Sequence, residues 1–304
     1  MIRFDNRVAI VTGAGTGLGR AYALLLAARG ARVVVNDIGG SVDGQGDGSA
    51  TPAQAVVDEI KAAGGQALAN FDSVADPAGA QRMVQSALDT WGRLDILINN
   101  AGILREGPLQ GMSLDALEKV IGVHLMGTLY CTRAALVPML KQRYGRIVLT
   151  SSASGLMGHA DQSVYGAAKS AMLGLMNCVK LDCADTGVLI NTVAPSADTR
   201  MSKGLIKHEL ARNMSPHLVA PMMAWFASEQ CQETGQTVNA CGGYFFKVAL
   251  YKAAGAQFDP LEPITPEMID AAWSDRIADL SAPEPYRGTL ASLEPNLRRL
   301  GRLD

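Results

Sequence analysis

The chain has 304 residues, of which 48% are hydrophobic, so it has enough apolar material to bury the core of one large domain. Its formal net charge of −2 and the absence of a basic cluster give no electrostatic footprint for nucleic acid. The five cysteines show no CxxC or metal-ligand spacing, which predicts buried reduced thiols and no metal site.

The first predicted unit is a strand, a glycine-rich loop and a helix. Residues 7–12 form an apolar run typical of a buried parallel strand, and residues 21–28 are predicted to be helical. Glycines in such a loop let the backbone approach a pyrophosphate, which the N–H groups at the helix N-terminus favour. A dinucleotide site is therefore predicted, and a flexible turn is the alternative. The candidate binding residues are Gly13, Thr16, Gly17, Leu18 and Gly19.

The second strand, residues 32–36, ends at Asp37, about twenty residues beyond the glycine loop. A carboxylate at this place accepts hydrogen bonds from the adenosine ribose and repels a 2′-phosphate. No Arg or Lys lies inside the loop or directly after Asp37 to compensate for that phosphate. The sequence thus predicts NAD rather than NADP. The alternative is that Asp37 only ends a strand and opens the glycine-rich segment 39–48.

Further apolar runs alternate with long helical patterns along the chain. They lie at residues 66–70, 94–99, 146–151, 188–193 and 237–240. Such alternation indicates βαβ units. The predicted fold class is α/β, a doubly wound parallel sheet of the Rossmann type, formed by a single domain over residues 1–245.

Residues 246–304 exceed what this sheet needs and are predicted to form a helical C-terminal extension. Thr265 and Pro266 are typical of a helix start, and the helix is expected to run to Leu280. Ala272, Trp273 and Ile277 would form its apolar face. A face of this kind has to pack against other parts of the protein.

A serine, a tyrosine and a lysine are the candidate catalytic residues. If residues 163–184 are helical, Tyr165 and Lys169 lie side by side on one face. Lowering the pKa of a tyrosine from about 10 to about 7 needs roughly 4 kcal/mol, which a neighbouring ammonium and a positively charged cofactor ring can supply. Ser152 would hold the substrate oxygen while Tyr165 transfers the proton. The alternative is a solvated helix face.

Together these residues resemble the short-chain dehydrogenase/reductase family over roughly the first 245 residues. The TGxxxGxG loop of that family corresponds to residues 12–19 and its NNAG motif to residues 99–102. The resemblance implies that Lys169 also holds the nicotinamide ribose and that Thr199 meets the nicotinamide amide. It implies further cofactor contacts, on the adenosine side, from Asp72, Ser73, Val74, Asn100, Ala101 and Gly102.

Two positions depart from the usual pattern of the family. His124 stands where many relatives have an asparagine that completes the proton relay, and Ser196 follows Pro195 where a glycine is usual. A histidine can donate and accept hydrogen bonds, so His124 is a candidate relay residue. The alternative is a histidine satisfied inside a helix predicted over residues 113–139.

Several segments are closer still to the (3R)-hydroxyacyl-CoA dehydrogenase region of peroxisomal multifunctional enzymes of type two, in which the histidine is usual. They are residues 3–5, 17–23, 35–40, 101–105, 123–125 and 150–155. The resemblance implies NAD-dependent oxidation of a (3R)-hydroxyacyl-CoA by a homodimer or higher homo-oligomer, with the extension lying across the dimer or closing over its own subunit. The alternative substrates are a 17β-type hydroxysteroid and a steroid with an acyl-CoA side chain. The alternative of another class is a non-catalytic NAD-binding regulator.

On the substrate side, Met112 and Met157 could adapt to an acyl chain or a sterol, or fill the core. Arg105 and Lys203 could meet coenzyme A phosphates, or be solvated surface residues. No apolar run is expected to reach membrane length, no signal peptide is evident, and residues 302–304 are not the peroxisomal SKL tripeptide. A cytoplasmic location without membrane insertion is expected.

Overall fold

A sheet of eight strands organises the first of the two compact units into which the chain divides, Met1–Lys247. The computed structural model describes residues 1–44, 48–202, 213–259, 261–286, 288, 297–298 and 301. The strands are β1 (Val8–Thr12), β2 (Arg32–Asn36), β3 (Gln66–Asn70), β4 (Ile96–Asn99), β5 (Gly145–Thr150), β6 (Val188–Ser196), β7 (Thr237–Cys241) and β8 (Tyr244–Val248). Their order across the sheet is β3-β2-β1-β4-β5-β6-β7-β8.

Neighbouring strands from β3 to β7 run parallel. Because β1 lies between β2 and β4, the chain reverses its direction of travel across the sheet there, and a crevice opens beyond the carboxyl ends of these strands. All five residues of β1 are buried, as a strand covered by helices on both faces requires. The predicted doubly wound α/β sheet is confirmed.

Helices cover both faces of the sheet. They are α1 (Gly17–Ala28), α2 (Thr51–Ala62), α3 (Pro77–Trp91), α4 (Leu114–Ile121), α5 (Gly127–Lys141), α6 (Ala153–Met157), α7 (Ser163–Asp182) and α8 (Ala220–Ala227). Alternate residues of each strand point to opposite faces, so Ala9 and Val11 enter a core cluster with α1, α2 and α8. Val8 and Ile10 enter a second cluster with α3, α5 and α7. The apolar runs of the sequence are therefore shared between two core layers.

At the amino-terminal edge of the sheet, a buried carboxylate joins β1 to β4. Asp95, which directly precedes β4, is fully buried and accepts a hydrogen bond from the Val8 N–H at 2.9 Å. It also accepts hydrogen bonds from the guanidinium groups of Arg7 at 3.0 Å and of Arg93 at 2.6 Å. These charged bonds compensate for burying the carboxylate and fix the two central strands against each other.

The helical stretch Leu114–Lys141 is continuous and changes its winding at one place. A π-helical turn, Gly122–Met126, separates α4 from α5. By length and composition this stretch could cross a membrane, so the expectation that no apolar run reaches that length is wrong. Core helices pass the same test, and α5 buries Cys131, Ala135 and Met139 in the second core cluster.

The described residues of the second compact unit, Val248–Asp304, include a helix and a short ribbon. Helix α9 (Pro266–Ala272) is capped by the Thr265 hydroxyl, and β9 (Tyr251–Lys252) pairs antiparallel with β10 (Glu284–Pro285). A π-helical turn, Trp273–Ile277, follows α9. The helix therefore stops before Leu280, and of the predicted apolar face only Ala272 is buried.

Candidate active site

A cavity of about 580 Å³ opens at the carboxyl ends of β1, β2, β4, β5 and β6. Its walls contain the glycine loop, the candidate catalytic residues and the segment after β6. Of the residues predicted from the sequence, the following line it: Gly13, Thr16, Gly17, Leu18, Asp37, Asp72, Ser73, Val74, Asn100, Ala101, Gly102, His124, Ser152, Tyr165, Lys169 and Thr199. Gly19 does not line it. The structure thus brings the cofactor candidates and the catalytic candidates into one site.

The glycine loop forms a cradle that side chains would fill. Gly13 and Gly17 have φ of +62° and +56°, the left-handed region that favours glycine. A Cβ atom on Gly19 would lie 2.3 Å from the Gly13 carbonyl oxygen, so Gly19 acts by letting α1 pack close to the loop. Thr16 gives α1 no side-chain cap, and the first turn of α1 contains no acidic residue. Unpaired N–H groups at this helix start fit the phosphates of a dinucleotide.

Asn100 holds the glycine loop in place. Its side-chain amide donates to the carbonyl oxygens of Thr12 at 2.9 Å and Gly13 at 3.1 Å. The Thr12 hydroxyl accepts the N–H groups of Asn100 and Ala101 at 2.9 and 3.0 Å. These bonds tie the ends of β1 and β4 together, so the contribution of the Asn100 side chain is to shape the cradle.

Two carboxylates lie farther along the carboxyl edge of the sheet. Asp37 accepts the N–H groups of Gly15 at 2.8 Å and Gly39 at 2.7 Å, which fixes its orientation at the end of β2. Asp72 accepts two hydrogen bonds from Arg82, at 2.6 and 2.8 Å. Asp37 therefore presents an oriented carboxylate to the cavity, whereas the charge of Asp72 is partly balanced by a cation.

The catalytic candidates are placed by α6 and α7. Tyr165 and Lys169 lie one helical turn apart near the start of α7, and both are buried. The Lys169 Nζ donates to the Thr150 carbonyl oxygen at 2.7 Å and lies 5.9 Å from the centre of the Tyr165 ring. Ser152 precedes α6 and accepts the Ser154 N–H at 3.2 Å. The three side chains meet beyond the end of β5.

Burial opposes the charged forms of both α7 residues. It raises the pKa of Tyr165, and the hydrogen bond with Ser152 opposes this with a smaller effect. Burial lowers the pKa of Lys169 to about 7. In the free chain the net result is a raised pKa of Tyr165, because desolvation outweighs the hydrogen bond with Ser152.

His124 lies in the π-helical turn and is almost completely buried. Its Nε2 is 3.1 Å from the Ile103 nitrogen and 2.6 Å from the Ile103 oxygen, while Nδ1 has no partner among the described residues. The ring packs edge-on against Tyr165 with centroids 5.1 Å apart, and a Cβ on Gly102 would lie 2.4 Å from its Cε1. Burial and the charge of Lys169 lower its pKa to about 3, so the ring is neutral at physiological pH.

A chain of polar side chains on the substrate side was not predicted. The Ser154 hydroxyl donates to Gln162 Oε1 at 2.6 Å, and Gln162 Nε2 donates to Glu106 Oε1 at 2.7 Å. Gln162 is 4% exposed and lines the cavity with Ser154. Its place directly before α7, three residues ahead of Tyr165, is the signal that could have revealed it, because that position faces the same cleft.

The residues proposed for the substrate differ in accessibility. Arg105 donates to the Asp43 carbonyl oxygen at 2.7 Å and pairs with Asp115 at 3.4 Å, and its side chain is only 13% exposed. It ties two loops together, so little of it is accessible to a phosphate. Met157 is 89% exposed and Met112 is partly buried. Lys203 lies outside the described residues. Within the described ranges, no cluster of His, Cys, Asp and Glu could hold a metal ion.

Comparison with known proteins places this site in a family. The profile of the family described as short chain dehydrogenase matches residues 7–210. The peroxisomal multifunctional enzyme type 2 of Drosophila melanogaster is 44% identical over 282 residues, which are 92% of this chain and 46% of that protein. A short-chain type dehydrogenase/reductase of Mycobacterium tuberculosis is 44% identical over 277 residues, which are 91% of this chain and 96% of that protein.

The solved structure of the full-length Drosophila enzyme agrees with a TM-score of 0.81 at 36% identity. The match covers 98% of this chain and 50% of that chain, so the chain spans about half the length of this relative. The matched residues 7–210 include the glycine loop, Ser152, Tyr165 and Lys169. The chain belongs to the short chain dehydrogenase family and is an oxidoreductase enzyme.

Proposed function

We propose that this chain is an NAD-dependent dehydrogenase that interconverts a (3R)-hydroxyacyl-CoA and its ketone. The observation that carries the proposal is the single cavity that joins the glycine-loop cradle to Ser152, Tyr165 and Lys169. The sequence resemblance to (3R)-hydroxyacyl-CoA dehydrogenases and the identity to a peroxisomal multifunctional enzyme type 2 support this substrate.

The preference for NAD rests on the oriented carboxylate of Asp37. Both oxygens of this side chain are held by backbone N–H groups, so it cannot easily turn away from a 2′-phosphate. Arg20, at the first turn of α1, is paired with Glu59 at 2.5 Å. A 2′-phosphate beside Asp37 would therefore meet like charge.

The chain itself supplies the proton chemistry. When bound, the oxidised nicotinamide provides the hydride acceptor and a positive charge. The Ser152 hydroxyl holds the substrate oxygen, and Tyr165 takes the proton from the substrate hydroxyl. Because burial raises the pKa of Tyr165 in the free chain, its phenolate depends on nearby positive charge, to which the Lys169 ammonium contributes.

The neutral His124 ring suits a fixed role better than a proton-accepting one. A histidine whose pKa is about 3 does not become an imidazolium near neutrality, so it orients neighbouring groups. Its ring packs against Tyr165, and its Nδ1, without a described partner, is the atom through which it would pass a hydrogen bond. Replacing His124 by Ala should lower turnover without moving the pH–rate profile near neutrality, and unchanged turnover would remove His124 from the mechanism.

The test follows NADH formation with a panel of (3R)- and (3S)-hydroxyacyl-CoA esters and 17β-hydroxysteroids. The proposal expects turnover of the (3R) esters, better activity with NAD than with NADP, and loss of turnover in Tyr165→Phe. Activity confined to steroids would mean that the substrate is a hydroxysteroid and not a (3R)-hydroxyacyl-CoA. If no alcohol is turned over although NAD binds, the chain is a cofactor-binding regulator and the proposal is wrong.

A further inference from the structure

The segment that follows β6 lies directly against the glycine loop. A Cβ atom on Gly17 would be 3.5 Å from Thr199 Cγ2, which places the two segments in van der Waals range. Arg200 Nη2 donates to the Thr16 hydroxyl at 2.9 Å. Thr16, Gly17, Thr199 and Arg200 all line the cavity. A cation from a distant part of the sequence thus reaches the start of α1.

The backbone that carries Arg200 is held by a local network. Ser202 Oγ donates to the Ala197 carbonyl oxygen at 2.8 Å and accepts the Thr199 N–H at 2.8 Å. The Thr199 hydroxyl accepts the Met201 N–H at 3.2 Å. This turn fixes the position from which the Arg200 side chain extends, so the contact with Thr16 follows from an ordered loop.

The place that Arg200 reaches has no cation from the loop itself. Residues 13–19 contain no Lys or Arg, and the first turn of α1 contains no acidic residue. The diphosphate group of a dinucleotide held at this helix start would carry two negative charges. The backbone N–H groups carry only partial positive charges, so they balance these charges incompletely. A guanidinium offers five N–H donors, and Thr16 takes one of them, so donors remain for phosphate oxygens.

We infer that Arg200 is a further cofactor-binding residue, which clasps the diphosphate of the dinucleotide against the glycine loop. The inference rests on the proposed dinucleotide site. Coenzyme A also contains a diphosphate, but Arg200 contacts the glycine loop rather than the substrate-side segment at Gln162, which favours the cofactor. A 2′-phosphate is the less favoured ligand, because the Asp37 carboxylate accepts the N–H of Gly15 in the same loop.

The experiment compares ligands with and without the diphosphate on four proteins. Calorimetry measures the Kd of ADP-ribose, adenosine and 2′,5′-ADP for the wild type, Arg200→Gln, Arg200→Lys and Arg20→Gln. Arg20 is the matched control, since it lies next to the glycine loop, pairs with Glu59 and does not line the cavity. A further arm measures the KM of the acyl-CoA at saturating NAD.

Arg200→Gln is expected to raise the Kd of ADP-ribose about tenfold or more while leaving that of adenosine unchanged. Arg200→Lys should recover part of the loss, and Arg20→Gln should bind like the wild type. The affinity of Arg200→Gln for ADP-ribose should also depend less on salt, because one charged contact is gone.

Four results would overturn the inference. An unchanged Kd for ADP-ribose would exclude the contact, and equal weakening of adenosine would mean that Arg200 only supports the fold. A larger loss for 2′,5′-ADP than for ADP-ribose would assign Arg200 to a 2′-phosphate, and a change confined to the KM of the acyl-CoA would assign it to the substrate. If the wild type bound neither adenosine nor ADP-ribose, the proposed dinucleotide site itself would fail, which is a distinct outcome.

Discussion

Burial of the Lys169 amine should make the free protein more stable as the pH rises above neutrality. Burial lowers the pKa of Lys169 from 10.5 to about 7, so between these values the unfolded chain binds a proton that the folded chain has released. The free energy of unfolding therefore rises with pH in this window and is lowest below about pH 7, where both states are protonated. Relative to an amine that keeps its pKa of 10.5 in the folded chain, the free energy of unfolding is lower by about 4 kcal/mol at pH 7 and by about 2 kcal/mol at pH 9.

Urea unfolding of the wild type and of Lys169→Met at these two pH values measures this effect. The methionine keeps an unbranched stem of similar length and removes the titrating group. Between pH 7 and pH 9 the wild type is expected to gain about 2 kcal/mol more than the variant. The lost hydrogen bond to the Thr150 carbonyl shifts the variant by a similar amount at each pH, so it does not affect this comparison. Lys180→Met, on the same helix and outside the cavity lining, is the control.

Equal gains for the wild type and for Lys169→Met would refute the reasoning, because they would show that the buried amine keeps its proton in the folded chain. The reasoning would also be refuted if the control variant, Lys180→Met, lost the pH dependence. The expected result would mean that this lysine is retained in the site at a cost in stability, a trade-off often seen at catalytic positions.

Three further changes test other parts of the structure. Tyr22→Phe removes a buried hydroxyl without a described partner and should leave the free energy of unfolding unchanged or raise it by about 1 kcal/mol; a clear loss of stability would reveal a partner. Asp95→Asn removes the charge that accepts hydrogen bonds from Arg7 and Arg93; because both guanidinium groups are partly exposed and Arg7 also pairs with Glu229, it should cost about 1.5–3 kcal/mol in urea unfolding, and an unchanged free energy of unfolding would contradict the network. Asp37→Ser should raise kcat/KM for NADP relative to NAD by at least about tenfold, and an unchanged ratio would remove Asp37 from cofactor choice.

The strands could be predicted from the sequence because their signal is local. A parallel strand covered on both faces is apolar along most of its length, so β2 was placed at the residues where it occurs. Strand β8 was not predicted. It is largely exposed and begins only three residues after β7, so it has neither a buried apolar run nor a preceding helix to mark it.

The site was predictable as a set of residues but not as an electrostatic environment. The spacing of Tyr165 and Lys169 on a helix places them together, and the structure brings both to the cavity. The direction of the pKa shift of Tyr165 depends on how much water the neighbouring elements exclude, which the spacing does not contain. The contact of Arg200 with Thr16 joins positions 184 residues apart, so no local pattern could indicate it.

Helix α7 has one buried stripe that serves two purposes. Tyr165 and Lys169 occupy its first turns, and Met172 and Met176 continue the same stripe into the core. The packing of the two methionines in the core therefore fixes the rotation of α7, and with it the direction in which Tyr165 and Lys169 point. A cavity opened at Met172 would let the helix rotate slightly, so such a variant is expected to lose turnover while it still folds.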